Sequence, residues 1–166
     1  MLTKEELLAS MRHETGIIKH LATKVTPRTL DWRPTPGQRS TLELMQYLTC
    51  MATITAENLT SQNWDHAEAL GKEAAEVTLE GFPAAMDRQM SRIEEVFAGI
   101  DEETARATPH TLPWGPPTTM SALTVDNVLK SFVAYRMQFF LYVKQAGCPE
   151  LSSPDCWVGE MPPAQT

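Results

Sequence analysis

Twelve prolines mark where a helix cannot run in this 166-residue chain. They stand at 27, 34, 36, 83, 109, 113, 116, 117, 149, 154, 162 and 163, which leaves 1–26, 37–82 and 118–148 free of proline, and 84–108 free after the lone Pro83. Proline lacks the backbone N–H and clashes with the preceding turn, so helix interiors exclude it. The gaps predict four helical segments separated by proline-bearing loops.

Local signals agree segment by segment. Thr3 and Glu6 form a capping box at the start of helix 1, and Ser40 and Glu43 repeat it at helix 2. Helix 3 begins near Phe82-Pro83, with proline in the tolerated first turn. Helix 4 begins between Thr118 and Thr124, and Gly147 followed by Pro149 ends it. Each segment carries apolar residues at alternating steps of four and three, which keeps them on one face. The faces read Leu7, Met11, Ile18, Leu21, Val25; then Leu44, Leu48, Met51, Leu59; then Phe82, Met86, Ile93, Val96, Ile100; then Val125, Leu129, Phe132, Phe139, Val143. No segment alternates with a period of two, so no sheet is expected. The predicted fold is all-α, a four-helix bundle over 1–147 with a Pro/Ser-rich tail over 148–166. That tail is expected to pack through Trp157 and to fray after Pro162. The connections, about 14 and then about 20 residues long, exceed what simple hairpins need and leave the helix order in space open.

Charge narrows the partners. A net charge of -7 argues against nucleic acid, which demands a basic face, and against an anionic membrane surface. No apolar run approaches the ~20 residues of a bilayer span. The first residues, MLTKEELL, lack the layout of a secretory signal, so cytoplasm is the expected compartment. Cys50, Cys148 and Cys156 form no CxxC pair and are expected to be free thiols.

Each helix face carries one polar residue near its middle: Glu14, Thr55, Gln89 and Arg136. A charge left unpaired in a bundle interior is costly, so Glu14 and Arg136 are candidate partners. They come to similar heights if helices 1 and 4 are antiparallel neighbours. The pair is either a structural ion bridge or the heart of a polar cavity. In the cavity, Arg136 would receive a small anion and Glu14 would orient it. His13 and His20 share the face of helix 1 opposite the apolar one, a face for solvent or a subunit partner. His66 and His110 fall in the long connections.

Two segments and a dipeptide carry a family likeness. Leu30-Asp-Trp-Arg-Pro-Thr-Pro-Gly-Gln-Arg-Ser-Thr-Leu-Glu-Leu-Met-Gln-Tyr-Leu48 enters helix 2, Tyr135-Arg-Met-Gln-Phe-Phe-Leu-Tyr-Val-Lys-Gln-Ala-Gly147 ends helix 4, and Trp114-Gly115 precedes helix 4. Together they resemble the DinB-like (DinB/YfiT) four-helix-bundle superfamily, in order, through most of the chain. The resemblance implies a bundle with long connections that is commonly a homodimer. Many members hold a divalent metal through three histidines, and related members transfer low-molecular-weight thiols. The three histidine positions here read Tyr47, Ser131 and Tyr135. Phenol and hydroxyl must lose a proton to compete with imidazole, so no metal is expected at those positions. A metal-dependent hydrolase or thiol transferase would need displaced ligands such as Glu14, His66 or His110. The expected alternative is a metal-free protein whose Tyr47, Ser131 and Tyr135, with Arg136 alongside, hold a small anionic or polar ligand. The same residues would otherwise simply fill an abandoned metal cavity. A third reading is a non-catalytic dimeric scaffold using faces such as that of His13 and His20. No sequence feature names a substrate.

Overall fold

The computed structural model describes residues 3–159. The expected fraying beyond Pro162 lies outside them. Helix α1 spans Lys4–Ala22. Helices α2 (Thr41–Leu48) and α3 (Met51–Ser61) together occupy the predicted helix 2. Helix α4 is Ala67–Ala75, α5 Phe82–Ala98 and α6 Glu102–Ala107. Helix α7 (Met120–Leu123) runs through a π-helical stretch, Thr124–Leu129, into α8 (Lys130–Ala146), and α9 is Ser153–Trp157. Both capping boxes are formed, Thr3 with Glu6 and Ser40 with Glu43. The fold is all-α. Among the described residues one strand pairing sets β1 (Pro109–His110) antiparallel to β2 (Thr118–Thr119) across the loop before α7, where no pairing was expected.

Contacts along the helices fix their directions. The start of α1 meets the end of α5: Lys4 Nζ donates to the carbonyls of Phe97 (3.0 Å) and Ile100 (2.8 Å), groups left open where that helix stops. Further along α1, Lys19 pairs with Asp87 near the start of α5. These two helices are therefore antiparallel. Against α3, α5 runs parallel, since Ala52 faces Gln89 and Glu57 faces Arg92. Helix α8 runs parallel to α1. Thr3 and Leu7 share a cavity with Ser121 and Val125, Glu14 meets Arg136, and Cys148 Sγ donates to the carbonyl of Lys24. The sense is up, down, down, up, and the α4 segment is the crossover between the parallel α3 and α5. The sequence left the order of the helices open, and the antiparallel condition under which it set Glu14 and Arg136 level is not the one found. Glu14 and Arg136 still meet, because each lies between the two places where the parallel helices come level, Leu7 with Val125 and Lys24 with Cys148.

The core is built mainly on the faces described from the sequence, of which Leu7, Val96 and Ile100 are only half-buried, with two physical departures. Met11, Ile18, Leu21, Leu44, Leu48 and Leu59 are buried, as are Phe82, Met86, Ile93, Phe132 and Phe139. The first departure breaks helix 2 between Leu48 and Met51. There the buried Gln89 amide enters the backbone ladder: its Oε1 accepts from Ala52 N–H (3.3 Å) and its Nε2 donates to Leu48 O (2.7 Å). One side chain thus substitutes for the bond these two backbone groups would make with each other, which bends the rod at that point. The second departure is the π-helical stretch. Its wider turn needs a longer step to stay on one face, so Thr124 and Val128 are buried instead of Val125 and Leu129.

Among the described residues no helix is long and apolar enough to cross a membrane. Replacing Gln89 by Leu leaves a buried carbonyl and a buried N–H without their partner. It is expected to lower the unfolding free energy by about 2 kcal/mol. Urea unfolding reads this directly, and an unchanged midpoint would show that the helix break does not depend on the amide.

Candidate functional site

Arg136 is the largest fully buried side chain among the described residues. Its position in the middle of α8 points the guanidinium at α1, where Nε donates to Glu14 Oε2 and the far nitrogen lies 3.5 Å from Glu14 Oε1. The remaining nitrogen donates to the carbonyl of Cys156 and lies 3.1 Å from its sulfur. The Trp157 ring covers the group at 5.1 Å. The donors of Arg136 are thereby turned to the protein itself. The geometry is that of the ion bridge, closed by the C-terminal helix, and not of an open anion site.

That same helix occupies the His13/His20 face. His13 Nε2 lies 3.1 Å from the carbonyl of Trp157, and His20 Nε2 lies 2.9 Å from Asp155 Oδ1. Lys144 Nζ donates to the carbonyl of Leu151 at 2.5 Å. Leu151 and Cys156 are the buried anchors, whereas Trp157 stays 62% exposed. The expected packing through Trp157 is thus met only by its ring over Arg136, and the chain's own tail contacts the face suggested for a partner, where His20 is half-buried and His13 exposed. The reason is local: the turn after Ser152 aims Cys156 inward and leaves the indole to lie over Arg136 from outside.

Tyr47, Ser131 and Tyr135 do come together, on the other side of α8. They line a cleft of about 260 Å³ together with Asn127, Trp64 and Trp114. Neither Arg136 nor Glu14 lines it. The break at Leu48 ends α2 just past Tyr47, and the π-helical stretch carries Asn127 into the wall. The two tyrosine rings meet edge to face at 4.9 Å, and Arg39 lies 4.0 Å over the Tyr47 ring. The Trp64 and Trp114 rings pair at 5.6 Å, and Trp114 Nε1 donates to Asn127 Oδ1 at 3.2 Å. Burial, with Tyr135 as its neighbour, holds the Tyr47 phenol above its ordinary range, so it stays protonated at neutral pH. Ser131 Oγ donates to the carbonyl of Asn127 at 2.5 Å. Trp64 and Asn127 were not among the residues singled out from the sequence, and Trp114 was noted there for the family likeness, not as a site residue. The signal for Trp114 was its place in the Trp114-Gly115 dipeptide that leads into helix 4.

This donor set does not fit the divalent metal that the family resemblance implies. A protonated phenol and a hydroxyl engaged with a carbonyl are poor ligands. The residues suggested as displaced ligands are dispersed. His66 Nε2 lies 2.8 Å from the carbonyl of Ile54, His110 Nε2 lies 3.2 Å from Asn58 Oδ1, and Glu14 holds Arg136. Among the described residues no three of His, Cys, Asp or Glu gather as a metal site. The three cysteines are free, and burial pushes the Cys50 thiol up to about 11, which makes it a poor nucleophile at neutral pH.

The tail contact has a pH signature. The His20 side chain, then the Ser152 N–H, hold the Asp155 carboxyl below its ordinary value of 3.8. A depressed carboxyl stabilises the fold above its unfolded pKa and loses that contribution as pH falls through its folded one. The unfolding midpoint of Asp155→Asn is therefore expected to lie below that of the parent at neutral pH. The gap should close in acid below 3.8. A gap that persists in acid would show that the carboxylate charge is not what holds the tail.

No protein-family model matches the sequence, and no curated protein matches it. Among solved structures the chain is similar to a DinB-like protein, YjoA, from Bacillus subtilis. The match covers 89% of this chain and 95% of that one, with a TM-score of 0.66 and 15% sequence identity. At that identity the likeness speaks for the fold. The bundle described above, with its crossover and parallel outer helices, is the DinB-like fold.

Proposed function

We propose that this protein is a metal-independent small-molecule-binding bundle whose ligand occupies the cleft between α2, α3 and α8. The observation that carries the reading is the separation of the polar groups. Tyr47, Ser131 and Tyr135 converge on the cleft. The buried Arg136, which could otherwise have served a ligand there, is engaged with Glu14 and the tail. Tyrosines that merely filled an old cavity would leave no room between them, whereas about 260 Å³ remains beside these rings. The reading takes the protein to act in the cytoplasm and, as the family resemblance implies, as a homodimer, and assigns no reaction to it.

Native mass spectrometry of the tag-free protein tests this in one spectrum, reading metal, retained small molecule and oligomer mass. The expected result is an organic adduct on the parent that is lost in Tyr135→Ala, with no stoichiometric metal. About one tightly held metal ion per chain would overturn the metal-independent reading. An adduct retained unchanged in Tyr135→Ala would move the ligand away from this cleft.

A further inference from the structure

The cleft is rich in aromatic rings and carries no charged side chain. Tyr47, Tyr135, Trp64 and Trp114 supply four rings, and Met51 and Ile54 supply apolar wall. The polar atoms belong to neutral groups: the two phenols, Thr55, Asn127 and Ser131. A charged ligand that left water for this site would meet no counter-charge, and that desolvation is not repaid. An anion would look for a guanidinium, but Arg136 is spent on Glu14 and Cys156, and Arg39 does not line the cleft. A cation would look for open ring faces. Here a guanidinium already lies 4.0 Å over Tyr47, and the Trp64 and Trp114 rings pair with each other.

The hydrogen-bonding capacity that remains is two-sided. Asn127 Oδ1 is taken by the Trp114 indole, which leaves the side-chain amide N–H groups to donate. The Ser131 hydroxyl gives its proton to the carbonyl of Asn127, and Thr55 gives its own to the carbonyl of Met51 at 3.3 Å. Both oxygens keep lone pairs that accept. A primary amide or a ring lactam answers both demands at once, with a carbonyl for the donors and an N–H for the acceptors. Its flat ring suits walls built from other rings.

Resting on the ligand-binding reading above, we infer that the cleft takes an uncharged, planar aromatic molecule bearing an amide-type donor–acceptor pair. The test uses three near-isosteric probes, benzamide, benzoate and benzamidinium, titrated into the full chain while the tryptophan indole N–H resonances are followed by NMR. Trp64 and Trp114 report the cleft, and Trp32 and Trp157 lie outside it. Benzamide is expected to shift the Trp64 and Trp114 resonances saturably, leave the other two in place, and bind at least about tenfold tighter than either charged probe. Ser131→Ala, with its amide spectrum retained as proof of folding, is expected to weaken benzamide about fivefold. Benzoate or benzamidinium equalling benzamide at these indoles would overturn the uncharged class while leaving a binding cleft in place. Failure of all three probes to move either indole by about 10 mM would overturn the inference and the ligand-binding reading together.

Discussion

A buried arginine cannot be left alone, and this fold is arranged around satisfying one. Arg136 sits 1% exposed in the middle of α8. Its charge is acceptable there because Glu14 of the parallel α1 neutralises it and the carbonyl of Cys156 takes a further donor. Three separated pieces of chain are thereby tied at one point: the first helix, the last long helix and the tail. The tail is short, and its two buried anchors, Leu151 and Cys156, bury little apolar surface. Its docking depends on the polar grip of Arg136, His13, His20 and Lys144. The ion pair thus also helps to hold the tail against His13 and His20.

The same interaction decides what the opposite side of α8 can be. With the one buried guanidinium turned toward α1, the wall facing α2 and α3 is left to aromatic rings and neutral hydrogen-bonding groups. Two irregularities then shape that wall. Gln89, reaching across from α5, splits the predicted helix 2 just after Tyr47. The π-helical stretch turns Asn127 toward the cleft ahead of Ser131. Side chains inserted in a ladder and π-helical turns are both recognised causes of local redirection in helices, and π-helical turns concentrate at functional sites.

Much of this was legible in the residues. Proline positions, two capping boxes and the spacing of apolar residues marked the main helices. The presence of Glu14 and Arg136 on otherwise apolar faces pointed to their pairing, because only a partner makes such burial tolerable. The likeness of Leu30–Leu48 and Tyr135–Gly147 to the DinB-like pattern led to the fold and to the convergence of Tyr47, Ser131 and Tyr135. What escaped notice depends on contacts between distant parts of the chain. The break in helix 2 is imposed by Gln89, about 40 residues later, so no local propensity announces it. The parallel course of α1 and α8 follows from the crossover through α4, which spacing within a helix does not reveal. Trp64 and Trp114 belong to loops whose sequence says turn and nothing about a shared cleft. Arg136 was expected beside the tyrosines because it is adjacent to Tyr135 in sequence. One residue along a helix rotates a side chain by about 100 degrees, enough to send it to the other side of the bundle.

A thermodynamic cycle on Arg136 and Glu14 distinguishes a structural pair from a ligand site. Arg136→Met alone is expected to cost about 3–5 kcal/mol of unfolding free energy, because it strands a buried carboxylate. Adding Glu14→Leu to it is expected to recover most of that loss, since the remaining site is apolar. A neutral effect of Arg136→Met, or a double variant as unstable as the sum of the two single ones, would contradict the account.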